Sequence, residues 1–246
     1  MYTLADFAKI EKTYRDVLPT SVKQCIQTMC KSVGAQPVFT VMVQNKSSLQ
    51  DAIREINKLT DTNCEIQTPL IVEIVSQLDL REFADVFFTM IGKNAFCSKT
   101  YATLFAHLQT RWALFTEIFE TKYREYIESF HSIVSVDQEN YDLFCEWKAL
   151  NDKRRTFTLF LVHATEMKAL PERFYRETIQ ITMDRIEALS DSKDKDSMNE
   201  MVENLFLLKP KQEQYVTQIT QWTKLKPSDH IGFSYKIIFR LMDILK

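Results

Sequence analysis

Apolar residues recur every three or four positions through most of this chain. Leu80, Phe83, Ala84, Phe87 and Ile91 fall on one face of a 3.6-residue helix. Tyr101, Leu104, Phe105 and Leu108 repeat the spacing, with His107 beside the stripe rather than in it. Phe115, Phe119, Tyr123, Tyr126 and Phe130 extend it over 113–131. The pattern predicts helices near 49–58, 61–76, from Leu80 to Ile91, 98–110, 113–131, 138–149 and 154–170. A further helix carries Tyr175, Ile179, Ile186 and Leu189, and three more lie near 198–208, 211–224 and 230–245. Thr60, Ser98 and Asp79 stand where an N-cap oxygen is needed, and Pro171 ends the 154–170 segment. The charged run 190–197, SDSKDKDS, is read as a loop that caps the helix after it.

Two stretches admit a strand reading. TFTLFLV, 156–162, alternates and then turns wholly apolar, but it runs into HATEMKAL with no turn signal, so a helix buried on more than one side is expected. PVFTVMV, 37–43, is short and β-branched and has no evident pairing partner. Before it, residues 1 to about 34 read as two short helices divided by Pro19. Leu4, Phe7, Ile10 and Tyr14 lie on the first, and Val22, Ile26 and Met29 on the second, with Gly34 as its stop. QNKSS, 44–48, is taken as a linker, so the chain is divided into an extension over 1–48 and a helical domain over 49–246.

Composition narrows the class. Only 3 glycines occur in 246 residues, too few for glycine-rich phosphate loops or many tight β-turns, and this favours an all-α fold. The net charge of −2 gives no global field for nucleic acid, so any basic patch is local. Five cysteines, odd in number and without a C-x-x-C pair, suggest reduced thiols and an intracellular setting. The opening MYTLADFAKIEK is charged where a leader would be apolar, and no run is long and apolar enough for a bilayer. His107, His131, His163 and His230 are scattered without metal-ligand spacing, and no nucleophile motif occurs. No catalytic residue, metal or cofactor is therefore nominated, and the chain is read as a non-enzyme.

Three segments carry a family resemblance. INKLTDTN at 56–63, TYATLFAHL at 100–108 and SYKIIFRLMDIL at 234–245 resemble, in order and spacing, the middle domain of translation initiation factor 4G. The matching positions are Asn57, Lys58, Leu59 and Thr60, then Tyr101, Ala102 and Leu104, then Ser234, Lys236, Ile237, Phe239, Leu241 and Asp243. EMKALPERF, 166–174, is similar to a further turn of that family. The chain departs from the pattern at Thr156-Phe157 and Val162-His163, where the family has Gly-Asn and Gly-Glu, and at Phe105, where it has Cys. Small residues allow close helix approach, whereas a phenylalanine demands a wider or repacked seam.

The resemblance implies an α-solenoid: about five antiparallel HEAT-type helix pairs in a crescent. It implies a cytoplasmic scaffold of translation initiation that binds and stimulates a DEAD-box RNA helicase of the initiation factor 4A type. Lys58, Thr60 and Asp61 at one turn, with Gln77, Asp79 and Arg81 at the next, are nominated as contacts for one helicase lobe. Lys236 and Arg240 are nominated for the second lobe, within a basic far end where Lys209, Lys211, Lys224 and Lys226 are candidates for weak RNA binding. Trp222 and Tyr235 could stack on bases or belong to the core. Arg154 and Arg155 are read as the basic start of a helix, paired with a local carboxylate such as Asp152. The alternative is the same fold serving a helicase or other partner in nonsense-mediated decay, splicing or nuclear cap binding. No cap-binding-partner element is found, since neither Tyr2 nor Tyr14 has the required apolar spacing.

Overall fold

The computed structural model describes residues 48–133 and 140–246, together with the helical residues Ser21, Val22, Gln24, Cys25 and Thr28. The extended segment expected at 37–43, the linker at 44–47 and most of the two expected N-terminal helices lie outside the described residues. The chain divides into two compact units, Met1–Ser48 and Leu49–Lys246. Every residue nominated as a contact belongs to the second.

Among the described residues the second unit is helical throughout, with no strand. Its helices are α1 (Leu49–Ile56), α2 (Cys64–Val75), α3 (Leu80–Ile91), α4 (Ser98–Arg111), α5 (Leu114–Glu128), α6 (Tyr141–Glu166), α7 (Glu172–Ala188), α8 (Lys195–Leu208), α9 (Glu213–Trp222) and α10 (Tyr235–Ile244). A 3-10 turn, Ala95–Cys97, leads into α4. Even-numbered helices form one continuous row: α2 packs on α4, α4 on α6, α6 on α8 and α8 on α10. The odd helices lie alongside, with α1 on α2, α5 on α4 and α3, α7 on α6 and α8, and α9 on α10. Connections of 2 to 12 residues join successive helices, and hydrogen bonds between alternate connections give the array two edges. Even helices begin at an entry edge and end at an exit edge.

Cross-array hydrogen bonds fix this arrangement. At the entry edge Thr100 Oγ1 donates to Asp61 Oδ1 (3.2 Å), Ser197 Oγ to the Ile133 carbonyl (3.3 Å) and Gly232 N to the Ser190 carbonyl (2.8 Å). At the exit edge Gln109 Nε2 donates to the Ala169 carbonyl and Tyr175 Oη to the Leu208 carbonyl, at 2.5 and 2.7 Å. Gly232 is required there: a Cβ would sit 2.2 Å from the Leu189 carbonyl oxygen.

The core follows the hydrophobic stripes. Phe83, Phe87, Leu104, Phe105, Leu108, Phe115 and Phe119 are fully buried, whereas His107 is exposed. TFTLFLV is helical, within α6. Phe157, where the family resemblance would place a small residue, stacks on Tyr126 (4.7 Å between centroids) and on Phe119 (6.2 Å). Rings fill the space that two closely approaching backbones would otherwise close.

Several local expectations are corrected. The segments 138–149 and 154–170 are one helix, α6, of 26 residues. The expected break, 150–153, is inside it and holds no proline or glycine to stop it. Arg154 and Arg155 are therefore mid-helix. Their carboxylate is Glu200, on α8, not Asp152. This helix ends four residues earlier than expected, in a Schellman turn: Ala169 N donates to the Ala164 carbonyl, Lys168 N to the Thr165 carbonyl, and Lys168 takes φ 59°. Thr60 caps the turn that leads into α2, its hydroxyl accepting from Asn63 N (3.3 Å), while the N-cap of α2 itself is Asn63, whose side chain accepts from Thr60 N and donates to the Lys58 carbonyl. Ser98 does not cap α4: it is buried in the first turn, after the 3-10 segment. Asp79 does cap α3, accepting from Arg81 N and Glu82 N at 2.9 and 3.1 Å, and Asp194 caps α8.

Candidate functional site

The nominated surface residues are exposed, apart from the half-buried Arg240, and the array sorts them by edge. Lys58, Thr60 and Asp61 lie at the entry edge, on the turn between α1 and α2. Gln77, Asp79 and Arg81 lie at the exit edge, on the turn between α2 and α3. The 12 residues of α2 separate the two turns by about 18 Å at 1.5 Å per residue. The structure does not bring these two turns together into one patch. The basic far end is likewise divided: Lys224, Lys226 and Lys236 belong to the entry edge, Lys209 and Lys211 to the exit edge.

Local bonding further separates these residues. Lys58 Nζ pairs with Glu55 (2.7 Å), and Asp61 accepts from Thr100. Arg240 Nη2 donates to Glu203 Oε2 (2.6 Å), and its guanidinium lies 3.4 Å from the centroid of the Phe206 ring. It is a clasp between α8 and α10. Trp222 belongs to the core, with its Nε1 donating to Glu187 (2.9 Å), whereas Tyr235 is exposed. Asp194, Ser197 and His230, which bonds Asp191 (3.1 Å), order the entry-edge loops between these helices.

Sequence reasoning missed several exposed apolar residues, among them three on α2 and on the turn before α4. Ile66 and Leu70 stand one turn apart on α2, and Phe96 is 96% exposed in the turn before α4. Phe96 belongs to no helical stripe, and that isolation was the available signal. An aromatic ring held on a short ordered turn is the kind of group that anchors a protein interface.

A buried polar seam joins α6 to α8. Glu200 and Arg154 are both almost wholly buried. Glu200 Oε2 accepts from Arg155 Nη2 (2.6 Å) and Nε (3.0 Å), and its Oε1 accepts from Asn204 Nδ2 (2.8 Å). Arg154 Nη1 lies 4.0 Å from Glu200 and donates to Asn151 Oδ1, and its Nε donates to the Ser129 carbonyl (3.1 Å). Thr158 Oγ1 bonds Asn204 Oδ1 (2.7 Å) and Tyr126 Oη (2.7 Å). Burial pushes the Glu200 carboxyl above the usual carboxylate range, against the pull of Arg155 and Asn204. Burial also lowers the Arg154 guanidinium.

Beside this seam is a cavity of about 600 Å³. Phe88 and Gly92 at the end of α3, Tyr126 on α5, and Leu150, Arg154 and Phe157 on α6 line it. A smaller hollow near Trp222 and His230 has a mixed lining that includes Gln214, Gln218, Gln221 and Phe233.

Among the described residues no group of His, Cys, Asp or Glu is placed to hold a metal ion, and no helix is long and apolar enough to cross a membrane. No protein-family model matches the sequence, and no curated protein or solved structure is significantly similar to it.

Proposed function

We propose that residues 49–246 form a divergent crescent of HEAT-type helix pairs, like the middle domain of initiation factor 4G, and act as a non-catalytic scaffold for a DEAD-box RNA helicase of the factor 4A type. The two-row stack supports this reading, since stacked antiparallel pairs are how such solenoids bury their stripes. The observation that carries it is the shared edge. Lys58, Thr60 and Asp61 at one end and Lys224, Lys226 and Lys236 at the other all lie on the entry edge. Four helix spacings of 8–10 Å put roughly 32–40 Å between α2 and α10, a span suited to a partner with two lobes.

Phe96, Ile66 and Leu70 supply the apolar anchor for the first lobe; the lysines hold the second. The scaffold favours whichever lobe arrangement fits both contacts, and so shifts the helicase between open and closed states. The exit-edge residues Gln77, Asp79 and Arg81 then stand outside this contact, as do Lys209 and Lys211. The setting expected is cytoplasmic translation initiation, with RNA binding confined to the lysines of the far end.

The test is RNA-dependent ATP hydrolysis by a factor 4A-type helicase with and without this chain. A several-fold rise, reduced by Phe96→Ala, supports the reading. No change in rate, together with no retention of the helicase at physiological salt, removes it. A rise seen only with the splicing-associated paralogue moves the scaffold to the nuclear alternative.

A further inference from the structure

The cavity between α3, α5 and α6 is lined by none of the residues proposed to touch the helicase, and what it would hold can be argued from its charges. Its floor is aromatic: Phe88, Tyr126 and Phe157. Its outer wall is the first part of α6, where Leu150 is half exposed. At about 600 Å³ it is within the range of sites that take a small organic molecule.

The cations around it exceed the anions. Lys122 is balanced, lying 3.5 Å from both Asp85 and Glu125. Arg154, which lines the cavity while itself almost fully buried, shares the single carboxylate of Glu200 with Arg155. Two guanidiniums, buried Arg154 and half-exposed Arg155, against one carboxylate leave an excess positive charge. Lys93 and Lys153 stand at the rim with no ion pair among the described residues, and Glu146 is the one further acid in the lining. Gly92 leaves room for the Lys153 stem: a Cβ there would meet Lys153 Cγ at 3.0 Å. A charge in an apolar surrounding is stabilised only when an opposite charge or strong hydrogen bonds meet it.

From this juxtaposition of an aromatic floor and a surplus of cations we infer that the cavity is a binding site for a small apolar carboxylate, with an alkyl or aromatic body on Phe88, Tyr126 and Phe157 and its carboxylate toward Lys93, Lys153 and Arg154. The ends of α3 and α5 present their negative dipole poles here, so the side-chain cations, not the backbone, supply the attraction. The site does not rest on the helicase reading.

Sodium decanoate and decyltrimethylammonium share a tail and differ in the sign of the head. Calorimetric titration of the full chain with each, below the micelle threshold, tests the inference. One saturable decanoate site per chain is expected, at least about tenfold tighter than for the cationic probe. Lys93→Glu with Lys153→Glu, both on exposed side chains, is expected to weaken decanoate by about tenfold or more while leaving the thermal unfolding midpoint within a few degrees. Leu150→Asp is expected to weaken it as well. No saturable decanoate binding, equal binding of both probes, or wild-type affinity in the double lysine variant would each overturn the assignment.

Discussion

The two seams of α6 are built on opposite principles. Toward α3, α4 and α5 the contact is aromatic: Phe160 meets Phe105 edge-on at 5.5 Å and Phe88 at 6.4 Å, while Phe157 stacks on Tyr126. Toward α8 it is polar, with Glu200, Asn204, Thr158 and two arginines in a bonded chain. Area burial is non-directional, so the aromatic seam supplies most of the stability and tolerates changes of shape that keep the volume. Hydrogen-bonded ions are costly to desolvate and add little net stability, but they hold only in one register. The polar seam therefore fixes how the second half of the array sits on the first.

The contrast can be broken most severely at Phe160. Phe160→Ala empties a fully buried site and is expected to cost about 3–5 kcal/mol in urea unfolding. A cost below about 1 kcal/mol would mean that the rings are not the main source of stability. Glu200→Ala leaves two guanidiniums without their carboxylate and is expected to cost about 3 kcal/mol.

Glu200→Gln sharpens the point through pH. Because burial raises the folded-state Glu200 carboxyl above its unfolded value, its contribution is fully present below the ordinary glutamate range and is lost as pH rises through the folded value. The stability of Glu200→Gln relative to wild type should thus improve as pH rises from acid toward neutral. The opposite trend would show that the arginines outweigh burial.

Tyr126 joins both seams, its ring on Phe157 and its hydroxyl on Thr158. Tyr126→Phe keeps the first and deletes the second, with an expected loss of about 1 kcal/mol. The smallest effect lies outside both seams. Lys168→Gly removes the cost of a left-handed lysine at the end of α6 and should stabilise by up to about 1 kcal/mol, read as a rise in the urea midpoint.

Much of the aromatic seam was legible in the sequence, because each helix advertises its buried face at helical spacing; the stripe of α3 from Leu80 to Ile91 is buried at Phe83, Ala84, Phe87 and Ile91. Asp79 was legible as a cap for the same reason: the needed oxygen sits at a fixed offset from the stripe. The polar seam was not. Glu200 and Arg155 are 45 residues apart, and nothing in either neighbourhood marks the pair. Asn151 fell in the expected break and Arg154 at the expected start of a helix, since polar residues are usually outside; both are buried here, Arg154 between the Ser129 carbonyl and Glu200. The division of the nominated contacts between two edges depended on where each turn falls relative to α2, and the resemblance carried no such geometry for this chain. The isolation of Phe96 was its one mark, and a single apolar residue outside a stripe is too common to single out a site.

The shared entry edge is tested most directly by hydrogen exchange of this chain, alone and with a factor 4A-type helicase. Slower exchange is expected at both 57–63 and 223–236, with 76–81 unchanged. Protection at 76–81, or at one end of the entry edge alone, would contradict the proposal that a two-lobed partner lies along it.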